Sequence, residues 1–190
     1  MTEGYEFTAD EITALLAKLD ERLRSRGASA SVFIVGGAAI AVGSSKYLRQ
    51  TEDIDAITRD EIVMDEARAL AAEIGLPRNW LNTRASMWMP PVPEDAPAPV
   101  AGPGLRVTYA SDEFLLATKL VAQRRKDSRD ILELAARTGM THATAEDFEM
   151  LIYRYYTDPG IFEFIIDGTD VQTEVRLLAE RAVQLLAHAQ

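Results

Sequence analysis

The sequence predicts an α/β fold in which a small mixed sheet is followed by a helical C-terminal region. Three observations predict this class. Apolar and partly β-branched runs over 28–35, 53–58 and 105–109 have the length and composition of strands. Stretches with apolar residues at helical spacing lie before and between these runs. Residues 111–190 contain helical stretches alone, so we expect a core over 1–110 and a helical region over 111–190.

The first part begins with a helix. Thr8 and Glu11 have capping-box spacing and precede an apolar stripe that reaches about Arg26. The run Val32–Val35 then indicates a buried strand, which ends at a pair of glycines. In chain order the predicted elements are a helix over 8–26, a strand over 28–35, a short helix over 38–42, a polar loop over 43–50, a strand over 53–58 and a helix over 60–75.

A proline-rich stretch precedes the third predicted strand. Six of the eight prolines lie between Pro90 and Pro103, which predicts an irregular loop. The third strand follows over 105–109. The remaining predicted elements are helices over 111–126, 128–137, 145–156 and 171–189.

Composition excludes several classes of protein. The 190 residues include no cysteine, which excludes disulfide frameworks, thiolate metal sites and cysteine nucleophiles. With 47% hydrophobic and 26% charged residues, the chain should fold compactly. The acidic first residues do not resemble a signal peptide, and no apolar stretch has the length of a membrane span. We therefore expect a cytoplasmic protein without a membrane partner.

The charge of the chain is unevenly distributed. A net charge of −10 has the wrong sign for a protein that binds nucleic acid through its phosphates, so an RNA partner would need a local basic surface. Residues 119–130 contain five cations and two acids, whereas residues 141–190 contain nine acids and three arginines. We expect one basic surface and an acidic far side.

The stretch 32–58 contains the residues that carry most chemical information. Gly36 and Gly37 follow the first strand, and Asp53 and Asp55 begin the second, with sixteen residues from Gly37 to Asp53. Alternate side chains of a strand share a face, so both carboxylates can approach one cation. Hard oxygen ligands of this kind suit Mg²⁺. Glycines without a Cβ let the backbone approach a phosphate, so we predict a metal-assisted phosphate site.

The polar loop between these two strands adds Arg49 and Thr51, which we predict to bind nucleotide together with Gly36 and Gly37. A glycine pair alone usually marks only a turn, and an Asp-x-Asp sequence alone usually marks only a solvated strand end. Their order on two adjacent predicted strands favours the functional interpretation.

The segments Val35–Gly37 and Thr51–Asp55 resemble the first two motifs of the DNA polymerase β-like nucleotidyltransferase superfamily. The resemblance implies a nucleotidyltransferase core that uses an NTP and Mg²⁺. It further implies that Asp53 and Asp55 bind the metal and help to activate the attacking hydroxyl, while the two glycines seat the triphosphate.

Three features resemble the minimal bacterial members of this superfamily: the short chain, the Gly-Gly-Ala-Ala form of the glycine motif and the helical second half. The group that the chain resembles best is the MenT and AbiEii type of toxin in toxin–antitoxin modules. That resemblance implies transfer of a nucleotide, often a pyrimidine one, to the 3′ end of tRNA, which blocks aminoacylation. It also implies a cognate antitoxin as a partner.

The second half of the chain carries further similarity. Ala117–Ala122 resembles the group's lysine motif, which implies that Lys119 neutralises charge on the phosphates, and 125–131 resembles its later Arg-x-x-x-Asp element. Asp127 and Asp130 are alternative candidates for a later catalytic carboxylate. On one straight helix Lys119 and Asp130 would lie ~16 Å apart by rise, so a shared role requires a break that Asp127 or the next residue could cap.

The sequence departs from the superfamily at one place. Many members carry a third metal-binding carboxylate on the next strand, but 104–110 contains no acid. Either a later aspartate substitutes for it, or two carboxylates alone bind the metal.

Other functions stay open on the sequence. The chain could be a transferase that acts on a protein or on a small molecule such as an aminoglycoside, a kinase-like antitoxin, or a non-catalytic nucleotide-binding module. Intact Asp53 and Asp55 argue against the last of these. The acidic net charge suits a cationic small molecule as acceptor, whereas Arg124 and Arg125 are candidates for contact with triphosphate or RNA.

Overall fold

A computed structural model describes residues 5–44, 49–93, 96, 101–166 and 170–189. The predicted loops over 43–50 and 90–103 therefore lie partly outside the described residues. The fold is mixed α/β, with a four-stranded sheet and flanking helices, which confirms the predicted class. The chain forms two compact units, one of Met1–Met87 with Val92–Ala110 and one of Trp88–Pro91 with Ser111–Gln190.

The first unit contains the sheet. Its elements are α1 (Ala9–Ser25), β1 (Ser29–Ile34), α2 (Gly36–Val42), β2 (Ile54–Ile57), α3 (Glu61–Ile74), β3 (Leu81–Asn82), a short 3-10 helix (Arg84–Met87) and β4 (Gly104–Tyr109). Strand β3 and the 3-10 helix were not predicted. The capping box of Thr8 and Glu11 is present, with the Glu11 amide donating to Thr8 Oγ1 at 3.3 Å.

The strands lie in the order β3-β2-β1-β4. Strand β1 pairs antiparallel with β2 and parallel with β4, and β2 pairs parallel with β3, so the sheet is mixed as predicted. Strand β1 is one of the two inner strands, and five of its six residues are buried. A strand buried in this way lacks the alternation of a half-exposed strand and reads in sequence as a continuous apolar run.

Helices α1 and α3 pack against each other and against the sheet. Buried Glu66 of α3 joins the two helices, since its carboxylate oxygens lie 2.9 Å from Arg22 Nε and 2.7 Å from Arg26 Nε of the α1 end. Trp80, which is fully buried, contacts the middle of α3 by donating from Nε1 to the Ala67 carbonyl at 2.9 Å. These contacts hold the chain that leads into β3.

The second unit contains helices only, as far as its described residues extend. They are α4 (Asp112–Ala122), a 3-10 helix (Arg125–Asp127), α5 (Ser128–Arg137), α6 (Ala145–Tyr155), α7 (Pro159–Ile165) and α8 (Val171–His188). Helix α7 was not predicted. Trp88 joins this unit because its carbonyl accepts from the buried Tyr156 hydroxyl at 3.2 Å and its ring stacks on Phe164 at 5.2 Å.

The predicted helix over 111–126 is too long, because α4 ends at Ala122. Gln123 follows in the left-handed conformation with φ +38°, and its amide donates to the Lys119 carbonyl at 2.9 Å. Its side chain donates to the Leu178 carbonyl of α8 at 2.6 Å. Local propensity does not predict a helix end here, because glutamine is a good helix former. The contact with α8 is a tertiary interaction that accompanies the break.

Every described helix is too short or too polar to cross a lipid bilayer.

One prediction concerns the attachment of β4 to α1. A Cβ on Gly104, where φ is +136°, would lie 2.6 Å from Asp20 Oδ1, the atom that accepts from the Leu105 amide at 2.7 Å. We expect Gly104→Ala to lower the free energy of unfolding by about 2 kcal/mol, through strain and the lost hydrogen bond. Gly102→Ala is the matched control, because φ is +104° there and nothing lies within 4 Å of the added atom. Urea unfolding measures the stability of both variants. An equal loss of unfolding free energy in Gly102→Ala and Gly104→Ala would contradict the steric explanation.

Candidate functional site

The chain that enters β2 is held by the N-terminal segment. Phe7, which is buried, forms an isolated antiparallel bridge with Thr51, with N–O distances of 2.7 and 3.1 Å. The Thr51 hydroxyl then donates to the Asp53 carbonyl at 3.0 Å. Both termini of the short segment 51–53 are therefore ordered by hydrogen bonds before the strand begins.

Asp53 and Asp55 lie on the partly exposed side of this strand end. Ile54 and Ala56 are fully buried, whereas both aspartates are partly exposed, which is the predicted alternation. Two residues of strand separate the Cα atoms by roughly 6.6 Å. Asp53 lies in a bend directly before the strand, so the alternation shows in the burial of 53–56 rather than in the strand alone.

The glycine pair lies directly against these residues. A Cβ on Gly36, where φ is +61°, would be 3.0 Å from Asp55 Oδ2. A Cβ on Gly37 would be 2.9 Å from both Arg49 Nη2 and Thr51 Oγ1. The structure therefore brings all the predicted nucleotide-binding residues to the Asp55 side of β2. The Arg49 and Thr51 side chains approach Gly37 so closely that a residue with a Cβ would clash with them. The sequence did not suggest this steric requirement for glycine.

Asn82 is a site residue that sequence reasoning missed. It lies beside Asp55 in the β2–β3 register, and its Nδ2 donates to Asp53 Oδ2 at 3.0 Å. Its Oδ1 accepts from the Arg84 amide at 3.0 Å, and the residue is 5% exposed. A two-residue strand leaves almost no periodic pattern in a sequence, so the only available indication was a polar residue beside the apolar Trp80 and Leu81.

The donor set fits one hard divalent cation. Asp53 and Asp55 supply carboxylate oxygens, which Mg²⁺ prefers, and they leave part of an octahedral shell for water and phosphate. No cluster of three or more histidine, aspartate or glutamate side chains suited to a metal occurs in the described ranges. Strand β4, which pairs with β1, has no acidic residue. Of the two alternatives left by the sequence, this geometry favours binding by two carboxylates.

In the second unit, Lys119 lies among buried aspartates. Its Nζ is 2.6 Å from Asp127 Oδ1 and 2.9 Å from Asp130 Oδ2. All three residues are at most 5% exposed. The break after α4 removes the ~16 Å separation expected for a straight helix. The charge of Lys119 is therefore compensated inside this unit, and its predicted contact with phosphate stays a prediction.

Asp127 joins the lysine to the helix junction. Its Oδ2 accepts from Arg124 Nε at 2.8 Å and from the Arg124 amide at 3.2 Å. Burial would raise the pKa of Asp127, but the hydrogen bonds from Arg124 and Lys119 outweigh it and hold this pKa below its ordinary value. Asp127 therefore carries its charge inside the unit and ties α4 to α5.

The same junction presents three cations to solvent. Arg125, Lys126 and Arg129 are exposed, and we call these three residues the basic junction. Arg124, in contrast, is engaged with Asp127. Arg124 is exposed as well, with 58% of its side chain accessible, so the two arginines that the sequence suggested for RNA contact differ in that Asp127 compensates the charge of Arg124.

A second prediction follows from the Asp127 geometry. Because the folded-state pKa of Asp127 is lowered, its ionic contacts stabilise the fold above the ordinary aspartate pKa of about 3.9, and this stability is lost as pH falls through the folded-state pKa. We expect Asp127→Asn to be less stable than the parent by about 1–3 kcal/mol at pH 6, with a smaller gap at pH 3. Urea unfolding at both values is the measurement. Glu21→Gln, at an exposed position of α1 outside its first turn, should follow the parent. The same stability difference between Asp127→Asn and the parent at both pH values would contradict the lowered pKa of Asp127.

Comparison with known proteins identifies the family. Residues 10–156 match the model of a family described as nucleotidyltransferases of unknown function, DUF6036. No curated protein and no solved structure gives a significant match to the chain. The matched range includes the glycine pair, Asp53, Asp55, Asn82 and the Lys119 cluster. The chain therefore belongs to the DUF6036 family of nucleotidyltransferases.

Proposed function

We propose that this nucleotidyltransferase uses Mg²⁺ to transfer a nucleotide from an NTP to the 3′ end of a tRNA, and that it acts as the toxin of a toxin–antitoxin module. The observation that carries the metal-dependent part is the pair Asp53 and Asp55, partly exposed on one strand face with Gly36 against Asp55. The two carboxylates lie outside the hydrophobic core, because the core side of β2 is formed by the buried Ile54 and Ala56.

The proposed reaction is a substitution at the α-phosphorus of the NTP. The 3′-hydroxyl oxygen forms a bond to that phosphorus, the bond to the bridging oxygen breaks, pyrophosphate leaves, and the hydroxyl proton is released. Mg²⁺, held by Asp53 and Asp55, would supply positive charge to the phosphate oxygens. Asp53 and Asp55 would also help to activate the hydroxyl, and Arg49, whose guanidinium lies over Gly37, would contact the triphosphate.

The basic junction supports an RNA acceptor. Arg125, Lys126 and Arg129 concentrate positive charge on a protein whose net charge is −10. On an acidic chain phosphate contact requires a local basic surface, and three exposed cations within five positions are such a surface. The assignment to tRNA, a cognate antitoxin and the cytoplasm rests on the resemblance to the MenT and AbiEii type of toxin.

The acidic net charge favours a second candidate, a cationic small molecule as acceptor. Both candidates share the reaction at the α-phosphorus and differ only in the hydroxyl that attacks. Incubation of the protein with each labelled NTP, Mg²⁺ and total RNA separates them on a gel. Label in the tRNA band supports the first candidate, and its absence under all four NTPs favours the second.

We expect Asp53→Ala and Asp55→Ala each to lower the rate of transfer by at least about 100-fold, because each removes a carboxylate that holds the metal. Circular dichroism should show unchanged secondary structure, since neither carboxylate lies in the core. Asp65→Ala, at an exposed position of α3, is the control that should keep the parental rate. A folded Asp55→Ala protein with full Mg²⁺-dependent transfer would disprove the role of the pair.

We expect the double substitution Arg125→Gln with Arg129→Gln to weaken tRNA binding and to reduce the slope of log affinity against log salt by up to about 1.8, the value for two lost phosphate contacts. Fluorescence anisotropy at several salt concentrations measures both quantities. Arg181→Gln, at an exposed position of α8, is the matched control and should leave the slope unchanged. Equal affinity and slope for the double variant and the parent would remove the basic junction from the binding surface.

A further inference from the structure

Asn82 is the third polar group on the face that carries Asp53 and Asp55. Strand β3 pairs with β2 so that Leu81 is opposite Ile54 and Asn82 is opposite Asp55. Leu81 and Ile54 are buried on the core side. Partners in register point to the same side of a sheet, so Asn82 shares the side of the two aspartates.

The hydrogen bonds of Asn82 define the orientation of its amide. The Arg84 backbone N–H can only donate, so the atom that meets it must be the carbonyl oxygen Oδ1. The amino group Nδ2 then faces Asp53 Oδ2, which can only accept while the carboxylate is ionised. A flipped amide would place donor against donor and acceptor against acceptor, so the neighbours permit one arrangement.

This arrangement restrains Asp53 from one side. Its Oδ2 is held by a side chain that is 5% exposed and is itself fixed by the backbone of the 3-10 helix. The backbone of Asp53 is held independently by Thr51 Oγ1. Rotation of the carboxylate is therefore limited, and its other oxygen is left for a ligand. Buried hydrogen bonds to a metal-binding group raise metal affinity in this way.

We propose that Asn82 is a positioning residue for the metal-binding carboxylates, which orients Asp53 toward the cation through a neutral donor. The property that matters for this role is the hydrogen-bond donor Nδ2 of the side chain, and not the volume of the side chain. An acidic residue of the same shape would place a third negative charge against Asp53 and could not donate to it. This inference rests on the proposed metal-dependent function and specifies how its site is ordered.

Asn82→Asp tests the donor directly, because it replaces the amino group by an oxygen and keeps Oδ1 for the Arg84 amide. The probe is Mn²⁺ alone, without NTP, and binding is followed by the loss of the free-ion signal in electron paramagnetic resonance. We expect Asn82→Asp to weaken Mn²⁺ binding by about 10- to 100-fold. Asn82→Ala, which removes the donor without adding charge, should weaken it as well. Asn79→Ala, three residues earlier at an exposed position, should bind as the parent does.

Kinetics provide a second readout. With labelled NTP and acceptor, both Asn82 variants should require a higher Mg²⁺ concentration for half-maximal rate, while the KM for NTP at saturating Mg²⁺ stays within about twofold of the parent. A merely structural defect would change the two quantities together. Circular dichroism identifies any variant that does not fold, in which case the other variant decides.

The outcomes separate this inference from the proposed function. If Asp55→Ala loses Mn²⁺ binding but a folded Asn82→Asp or Asn82→Ala binds as tightly as the parent, the role of Asn82 is wrong and the metal site stands. Tighter binding by Asn82→Asp would equally overturn it, because the introduced carboxylate would then be a ligand. If Asp55→Ala binds Mn²⁺ like the parent, the metal site itself is wrong, and the role of Asn82 fails with it.

Discussion

The candidate site depends on the close packing around the N-terminal end of β2. Gly36 admits the Asp55 carboxylate on one side, and Asn82 holds the Asp53 carboxylate on the other. Gly36 follows β1 and Asn82 belongs to β3. These two strands flank β2 in the sheet. The sheet therefore orders the two acids in a way that no single loop could. The Asp53 carboxylate is held here by a neutral amide donor.

The second unit uses charge differently. Lys119, Asp127 and Asp130 are nearly inaccessible, and each ionic group is compensated by a partner within 2.9 Å. Buried ion pairs contribute less to stability than their short distances suggest, because each charge loses its hydration. The two ion pairs can form only where the chain breaks after α4, so they accompany one path of the junction.

The sequence predicted the fold class and most helices, because capping residues and apolar spacing are local properties. Asp53, Asp55 and the glycine pair were also accessible, since strand alternation and the lack of a Cβ can be inferred without tertiary information. Gln123 was not, because its left-handed conformation accompanies a contact with a distant helix. Asn82 was missed for a related reason. Its strand has two residues, and its role depends on a register that only the folded sheet establishes.

The bridge between Phe7 and Thr51 gives the first residues of the chain an effect beyond their own stability. Thr51 is two positions from Asp53 and is hydrogen-bonded to its carbonyl, so tension or displacement at Phe7 passes directly to the acid. Phe7 is also a core residue, so a substitution that loosens its packing would act on the chain that carries Asp53 as well as on the stability of the unit.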